Sequence, residues 1–167
     1  MKTYDFRKQL NIGEAGEEKL DTYFAPHFDI SAVDMELQRL GIDRIFLSKK
    51  NSNLYLVEYK FDTLAHKTGN IYVETISVMK DSEPIKLGWA YTSQADFIAY
   101  HIEPNRFFVF QPKILEMYLE GWKANYRHVS VRNKGYSGMG VLVPIEEFSN
   151  IATAAYIHET ENYVHSG

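Results

Sequence analysis

The chain has 167 residues and no cysteine, and it carries 18 lysines and arginines against 22 aspartates and glutamates, a formal net charge of −4. That length suits one domain, and 45% hydrophobic with 24% charged residues is the composition of a globular protein rather than of a disordered chain. The lack of cysteine excludes a disulfide framework, a thiolate zinc site and a cysteine nucleophile. Because proteins that wrap long nucleic acids are usually basic, any nucleic-acid contact of this mildly acidic chain must be local.

The sequence also bears on location. No apolar run approaches the roughly 18 residues that a membrane helix needs, and the amino terminus, MKTYDFRKQL, lacks the apolar core of a secretory signal. We therefore expect a soluble, cytoplasmic protein without a membrane partner, in which residues 1–167 form a single domain.

The first predicted element is a helix from about Ile12 to Phe24, whose apolar residues share one face and which ends at Pro26. Glu17 is unusual because it projects at the edge of that apolar face, so its carboxylate either reaches solvent or meets a polar group in the core. Strands are expected at 28–33, 42–47, 54–61 and 70–78, with a hairpin turn at 49–53.

The second half mixes element types. Strands are expected at 97–102 and 106–110, a helix from Pro112 through Trp122, and strands at 126–131 and 139–143 that flank a glycine-rich loop. Pro144 opens a last short helix, and the residues after Ala155 have the composition of a polar tail. A helix, then meandering strands, then mixed elements predicts an α/β or α+β domain.

The strand at 54–61 contains the strongest chemical signal. Glu58 and Lys60 flank a single residue, so they point to the same face of an otherwise apolar strand, where charges are costly to bury unless they serve each other or a ligand. An ion pair on a solvated sheet face is the alternative interpretation. The E-x-K pattern alone carries little weight, because Glu17-Glu18-Lys19 repeats it on a helix.

Asp43 strengthens the functional interpretation. It lies at the start of the strand that precedes the hairpin turn, and antiparallel pairing would bring it to the end of the hairpin where Glu58 and Lys60 lie. Mg²⁺ binds through one or two carboxylates together with waters and substrate phosphate oxygens, and a lysine can orient a water or neutralise a phosphoryl oxygen. This combination suits metal-assisted phosphodiester hydrolysis.

With these residues, the chain resembles the PD-(D/E)XK nuclease superfamily. The matching segments are Gly16-Glu17 on the helix, Gly41-Ile42-Asp43 at the head of one strand and Val57-Glu58-Tyr59-Lys60 in the next. The stretch from His66 to Glu74 also looks like phage and mobile-element nucleases of this group. The resemblance covers a core of about residues 12–100, which leaves 101–155 as a divergent half and 156–167 as a polar tail.

The resemblance implies an α/β domain of the restriction-endonuclease-like kind, a mixed β-sheet core flanked by helices, that hydrolyses DNA with Mg²⁺ or Mn²⁺. Asp43, Glu58 and the backbone carbonyl of Tyr59 would hold the metal, and Lys60 would position or activate the attacking water. Glu17 would bind a second metal or orient a metal-bound water. A homodimer is a further expectation, because many nucleases of this kind cut both strands as dimers.

Two features depart from the family pattern. Ile42 replaces the proline that often precedes the aspartate, and a strand at 70–78 is predicted where the family core usually continues into a helix. The second departure indicates an insertion or a divergent subgroup.

Five further residues are candidates for contact with nucleic acid: Lys67, Asn70, Glu74, Arg132 and Lys134. Lys67 and Asn70 belong to a loop next to the predicted site, and Glu74 is either an additional carboxylate near the site or a surface residue. Arg132 and Lys134 form part of the basic cluster of the second half, which is either a DNA-backbone contact or an ordinary hairpin tip.

Two other functions stay open. The first is a non-catalytic nucleic-acid- or partner-binding domain with a nuclease-like fold, although such a domain has no need of three convergent carboxylates that repel phosphate. The second is a small-molecule metallohydrolase, which is disfavoured because no histidine lies near Asp43 or Glu58 in the sequence. Duplex, single-stranded and branched DNA, and RNA, all stay open as substrates.

Overall fold

Helices and two β-sheets make up the computed structural model, which describes residues 6–157, with side chains for residues 13–156. The helices are α1 (Phe6–Phe24), α2 (Met35–Arg39), α3 (Ala65–Thr68), α4 (Trp89–Thr92), α5 (Pro112–Asn125) and α6 (Ile145–Phe148), the last followed by a 3₁₀ turn at Ser149–Ile151. The strands are β1 (Phe28–Ala32), β2 (Arg44–Ser48), β3 (Leu54–Asp62), β4 (Asn70–Lys80), β5 (Glu83–Leu87), β6 (Phe97–Ile102), β7 (Arg106–Phe110), β8 (His128–Asn133), β9 (Tyr136–Pro144) and β10 (Ala154–Ile157).

The larger sheet has six strands in the order β1-β2-β3-β6-β7-β10. Its neighbours are antiparallel except for β3 and β6, which run parallel. Because parallel neighbours need a crossover, residues 63–96 connect them through α3, β4, β5 and α4. The prediction of an α/β domain with a mixed sheet flanked by helices is confirmed.

Helix α1 covers one face of the larger sheet. Leu20 and Phe24 of the helix pack with Val57 and Tyr59 of β3 in one buried cluster, and burial of a leucine side chain such as Leu20 contributes about 1.5–3 kcal/mol. Side chains alternate along a strand, so β3 presents its odd-numbered residues to α1 and its even-numbered residues to the opposite face. The fold therefore separates Glu58 and Lys60 from the α1 side.

The second sheet has four antiparallel strands in the order β5-β4-β9-β8. The strand expected at 70–78 is confirmed as β4, whose Ile71 and Val73 are fully buried opposite Val143 and Val141 of β9. These residues share a core with the buried side chains of α5 and with the strands β6 and β7. The second sheet thus packs against the face of the larger sheet that α1 leaves free.

The glycine-rich loop is shorter than expected. The chain reverses direction between Asn133 and Tyr136, with Gly135 at φ +87°, and Gly138, which was expected in the loop, lies within β9. Gly140 lies in this strand as expected, and the ring of Tyr72 on β4 lies over it where any Cβ atom would collide with it. Gly140 therefore allows a close approach between β4 and β9.

Residues beyond 100 contribute to both sheets. Strand β10 pairs antiparallel with β7 at the edge of the larger sheet, so Tyr156 and Ile157 belong to a strand rather than to a tail. The rest of the predicted tail, residues 158–167, lies outside the described residues. The segment 101–155 is therefore interleaved with the amino-terminal half.

The sequence predicted no membrane-spanning segment. Within residues 6–157, no helix combines the length and the apolar character needed to cross a bilayer.

Candidate functional site

The β2–β3 hairpin brings Asp43 next to Glu58. Arg44 lies opposite Val57 in the register of the two strands, and the amide of Asp43 donates to the carbonyl of Val57 at 2.9 Å. The Asp43 Oδ2 atom accepts a hydrogen bond of 2.7 Å from the amide of Tyr59. This side-chain contact continues the pairing of the strands and fixes the Asp43 carboxylate beside the backbone of the E-x-K segment.

Glu58 is a buried carboxylate with an incomplete set of partners. Its side chain is only 3% exposed, and its Oε1 atom forms an ion pair with the Nζ atom of Lys60. Among the described residues, Oε2 has no hydrogen-bond partner of standard geometry. Burial raises the pKa of Glu58, and the nearby Lys60 ammonium, assisted by the Ser93 hydroxyl, opposes that increase.

Gly41 lines the site on the side of the unpartnered oxygen. A Cβ atom at this position would lie 3.0 Å from Oε2 of Glu58, and the backbone of Gly41 has φ +74°. Both features favour glycine, because other residues rarely adopt this backbone conformation and would press against the carboxylate. The space next to Oε2 thus depends on the absence of a side chain.

Lys60 belongs to β3, and its side chain reaches Trp89 on the short helix α4. Its side chain is 27% exposed, and its Nζ atom lies 5.9 Å from the centre of the Trp89 ring. A cation at this distance from an aromatic face is attracted by the ring quadrupole. The ammonium is therefore held by Glu58 on one side and contacts Trp89 on another.

Glu74 joins this group from the second sheet. Its Oε2 atom accepts a long hydrogen bond of 3.4 Å from the amide of Trp89. Burial raises the pKa of Glu74, and Lys60 is among the charges that oppose the increase, while the Glu58 carboxylate adds to it. Glu74 was expected either to approach the site or to lie on the surface, and the structure places it within the electrostatic reach of Glu58 and Lys60.

Glu17 lies elsewhere. Its Oε2 atom pairs with Nη2 of Arg44 at 2.7 Å, and Arg44 stacks over the ring of Tyr59 at 5.4 Å on the α1 side of the sheet. Since Tyr59 and Glu58 are adjacent in β3, their side chains point to opposite faces. The structure therefore does not bring Glu17 together with Glu58 and Lys60; the polar group that Glu17 meets is Arg44.

Arg44 links helix α1 to Asp43. Its Nε and Nη2 atoms bond the Asp21 carboxylate at 3.1–3.2 Å, and its Nη1 atom donates to the Asp43 carbonyl at 2.9 Å. Burial lowers the pKa of Arg44, but the bonds to Asp21 and Glu17 outweigh this effect and raise it above its ordinary value. The hydroxyl of Tyr59 also donates to Asp21 at 2.8 Å.

The sequence held a signal for Arg44 that our interpretation missed. Arg44 follows Asp43 in a strand, so it must face the side opposite to the predicted site. Glu17 and Asp21 lie four residues apart, one above the other on the helix. An acidic pair on the helix and an arginine on the covered face of the sheet together predict this contact.

The other candidates for nucleic-acid contact lie on α3, at the start of β4 and on the β8–β9 hairpin. Lys67 is exposed on α3, and Asn70 at the start of β4 donates through its side chain to the carbonyl of Thr68 at 2.9 Å. Arg132 and Lys134 are exposed on the β8–β9 hairpin. Their contact with nucleic acid stays a prediction.

The residues of the site suit a hard divalent cation. No group of three acidic or histidine side chains that could hold a metal ion occurs within the part of the chain that the structure describes. Mg²⁺ does not require three, because it commonly binds one or two carboxylates and completes its shell with water and phosphate oxygens. The buried Oε2 of Glu58, which makes no hydrogen bond of standard geometry among the described residues, is an oxygen donor of the type that such a cation accepts. We conclude that the donor set fits Mg²⁺ or Mn²⁺.

Comparison of this chain with protein-family models, with curated proteins and with solved structures finds no match. A functional proposal therefore rests on the residues of the site and on the motif resemblance.

Proposed function

We propose that this protein is a nuclease that uses Mg²⁺ or Mn²⁺ to hydrolyse phosphodiester bonds in DNA. The observation that carries the proposal is the buried Glu58 carboxylate, which lies beside Asp43 and Lys60 and has one oxygen that makes no hydrogen bond of standard geometry among the described residues. The motif resemblance to PD-(D/E)XK nucleases supports the same function. The mixed sheet flanked by helices also agrees with a restriction-endonuclease-like core.

Energetics favour a ligand role for Glu58. A buried polar atom without a hydrogen bond costs about 1–3 kcal/mol, and more when the group is charged. A lysine partner on one oxygen offsets only part of this cost. A bound cation would supply the missing partner of the buried carboxylate and so offset the cost of its burial.

Each residue of the site has a role in this proposal. Asp43, Glu58 and the backbone carbonyl of Tyr59 hold the cation, which when bound supplies Lewis acidity toward the phosphodiester. Lys60 orients the attacking water or neutralises charge that develops on the phosphoryl oxygens. Glu17, which contacts Arg44, acts indirectly by helping to place Asp43.

Contacts with the rest of the substrate belong to the same proposal. Lys67, Asn70, Arg132 and Lys134 bind DNA phosphates, and two copies of the chain act together on duplex DNA. Contacts of this kind fix the position of the backbone without reading the base sequence.

The test is incubation with supercoiled plasmid, linear single strands and a four-way junction in Mg²⁺, Mn²⁺ or EDTA. We expect cleavage of at least one form by wild type in Mg²⁺ or Mn²⁺ and none in EDTA. Asp43→Asn should abolish it, while Asp29→Asn, an exposed aspartate on the neighbouring strand β1, should not. Wild type that binds DNA but leaves every form uncut in both metals would favour the non-catalytic binding domain.

Lys60 separates catalysis from binding. Lys60→Ala should lower the cleavage rate by orders of magnitude but weaken DNA binding in Ca²⁺ only modestly, because the charge that it stabilises develops in the transition state. Lys60→Met, which keeps the apolar stem, should be equally inactive and controls for packing. Equal activity of wild type and both variants would place the chemistry elsewhere.

A further inference from the structure

Two glycines with a positive φ each follow a short helix, but their surroundings differ. Gly41 follows α2 with φ +74°, and Gly69 follows α3 with φ +71°. A Cβ atom at Gly69 would meet nothing within 4 Å, whereas one at Gly41 would lie 3.0 Å from Oε2 of Glu58 and 3.3 Å from both its Cδ and Oε1 atoms. The end of a helix accounts for both glycines, but of the two only Gly41 also borders a buried carboxylate.

The Glu58 carboxylate has little freedom to move away from residue 41. Its Oε1 atom pairs with Nζ of Lys60, and the Ser93 hydroxyl also bonds the carboxylate. A Cβ atom on Gly41 would lie closer than ordinary van der Waals contact to the carbon and to both oxygens of this group. It would therefore press on the whole carboxylate, and a shift of Glu58 would weaken the contacts with Lys60 and Ser93.

The backbone around Gly41 is fixed as well. The amides of Gly41 and Ile42 donate to carbonyls of α2 at 3.0 and 3.1 Å. On the other side, the Leu40 carbonyl accepts a hydrogen bond of 2.9 Å from the amide of Gln94, in the connection between α4 and β6. These bonds tie the turn to two different segments, so withdrawal of the chain from Glu58 to make room for a side chain would break them.

We propose that Gly41 is a positioning residue that keeps the Glu58 carboxylate open to a divalent cation. The inference rests on the proposed function, because it requires a cation at Asp43 and Glu58. Mg²⁺ and similar cations tolerate little displacement of their ligands and retain several waters. A methyl group on Gly41 would shift the carboxylate and take up room that the cation and its waters need. One short segment thus supplies a ligand, Asp43, and the space beside the other ligand.

The Mn²⁺ affinity of the DNA-free protein tests this role. It is measured from the free Mn²⁺ signal in electron paramagnetic resonance for wild type, Gly41→Ala and Gly41→Asn, and for the matched variants Gly69→Ala and Gly69→Asn. Asparagine is included because it tolerates a positive φ better than alanine does, and circular dichroism confirms that each variant is folded. Both Gly41 variants should bind Mn²⁺ at least about tenfold more weakly than wild type, whereas both Gly69 variants, which carry the same backbone strain, should bind it as wild type does.

Glu58→Asp shows whether the effect passes through the carboxylate. Aspartate is one methylene shorter, so its carboxylate lies farther from residue 41, and Gly41→Ala should cause a smaller further loss of Mn²⁺ affinity in this background than in wild type. An equal loss in both backgrounds would overturn the inference, as would wild-type affinity in the Gly41 variants or an equal loss in the Gly69 variants; each leaves the proposed function in place. Wild-type Mn²⁺ binding that is absent, or insensitive to Asp43→Asn, would overturn the proposed function and the inference with it.

Discussion

The two faces of the β2–β3 hairpin differ in how completely their buried charged groups are hydrogen-bonded. On the α1 face, each of the three guanidinium nitrogens of Arg44 has a partner, supplied by Asp21, Glu17 and the Asp43 carbonyl. On the other face, Glu58 is more deeply buried and shares one oxygen with Lys60, and its second oxygen makes no hydrogen bond of standard geometry among the described residues, although the Ser93 hydroxyl also acts on the carboxylate.

This difference separates structural from functional charge. A network in which every donor is satisfied stabilises the fold and has nothing left to offer a ligand. A buried carboxylate with spare capacity destabilises the fold and gains a partner only when a ligand arrives. Substitutions on the Arg44 face should therefore act mainly on stability, and substitutions on the Glu58 face mainly on activity.

The largest expected effect is the loss of activity on the Glu58 face. Glu58→Gln should lower DNA cleavage by at least about 10³-fold, because it removes the charged ligand. Its thermal midpoint should equal or exceed that of wild type, since a neutral amide is easier to bury than an ionised carboxylate. The measurements are plasmid cleavage in Mg²⁺ and calorimetric melting; a strongly destabilised Glu58→Gln would contradict the comparison.

The next effect is a loss of stability on the opposite face. Arg44→Met should lower the free energy of unfolding by about 2–3 kcal/mol, because it removes the donor of the Glu17 carboxylate and the Asp43 carbonyl and leaves Asp21 with the Tyr59 hydroxyl. Arg44→Lys should retain part of this energy, since one ammonium cannot reproduce the planar set of contacts. Urea unfolding followed by circular dichroism measures both, and a change below about 0.5 kcal/mol for Arg44→Met would show that the network is dispensable.

Smaller effects are expected from the helix carboxylates. Asp21→Asn should cost more than Glu17→Gln, about 1 kcal/mol against a few tenths, because Asp21 bonds both Arg44 and the Tyr59 hydroxyl, whereas Glu17 bonds Arg44 alone among the residues whose side chains are described. Glu17→Gln should also leave Mn²⁺ affinity close to that of wild type. A large loss of Mn²⁺ affinity in Glu17→Gln would instead return Glu17 to the metal site.

The smallest effect is a pH dependence that sharpens the contrast. Burial raises the pKa of Glu58 above its usual 4.5, so the folded protein retains this proton where the unfolded chain has lost it. The Glu58 contribution to stability therefore falls as pH rises through 4.5 to the raised value. The melting temperature of Glu58→Gln relative to wild type should increase over this range, whereas that of Asp29→Asn should stay constant; parallel curves for Glu58→Gln would exclude the raised pKa.

Local patterns predicted the hairpin well. The strands at 97–102 and 106–110 are confirmed with the same limits, and the turn at 49–53 separates β2 from β3 as expected. Strand alternation and hairpin pairing depend on residues that are close in sequence. They therefore also predicted that Asp43 lies near Glu58. The helix at 112–122 is confirmed and extends to Asn125.

Long-range contacts were beyond those patterns. Strand β5 has no buried residue, so its sequence lacks the alternation of apolar and polar residues that predicts a strand. Helix α2 has five residues, which is too short for a helical pattern to be recognised. The contacts of Glu74 with Trp89 and of Glu17 with Arg44 join segments that are distant in sequence, and the pattern of one segment does not name its partner. Gly138 was expected in a loop because glycine is common in loops, whereas its proximity to Tyr72 depends on the neighbouring strand β4.

The interleaved order of the two sheets also determines how the chain can assemble. Strand β3 meets its parallel neighbour β6 only after residues 63–96 have been synthesised, and β4, within that crossover, awaits β9. Closing such long loops before their contacts form is entropically costly and slows folding. A nascent chain that ends before Phe97 thus exposes an unpaired edge of β3, which is the kind of edge that recruits other strands. Fragments cut at this point are expected to aggregate rather than to fold independently.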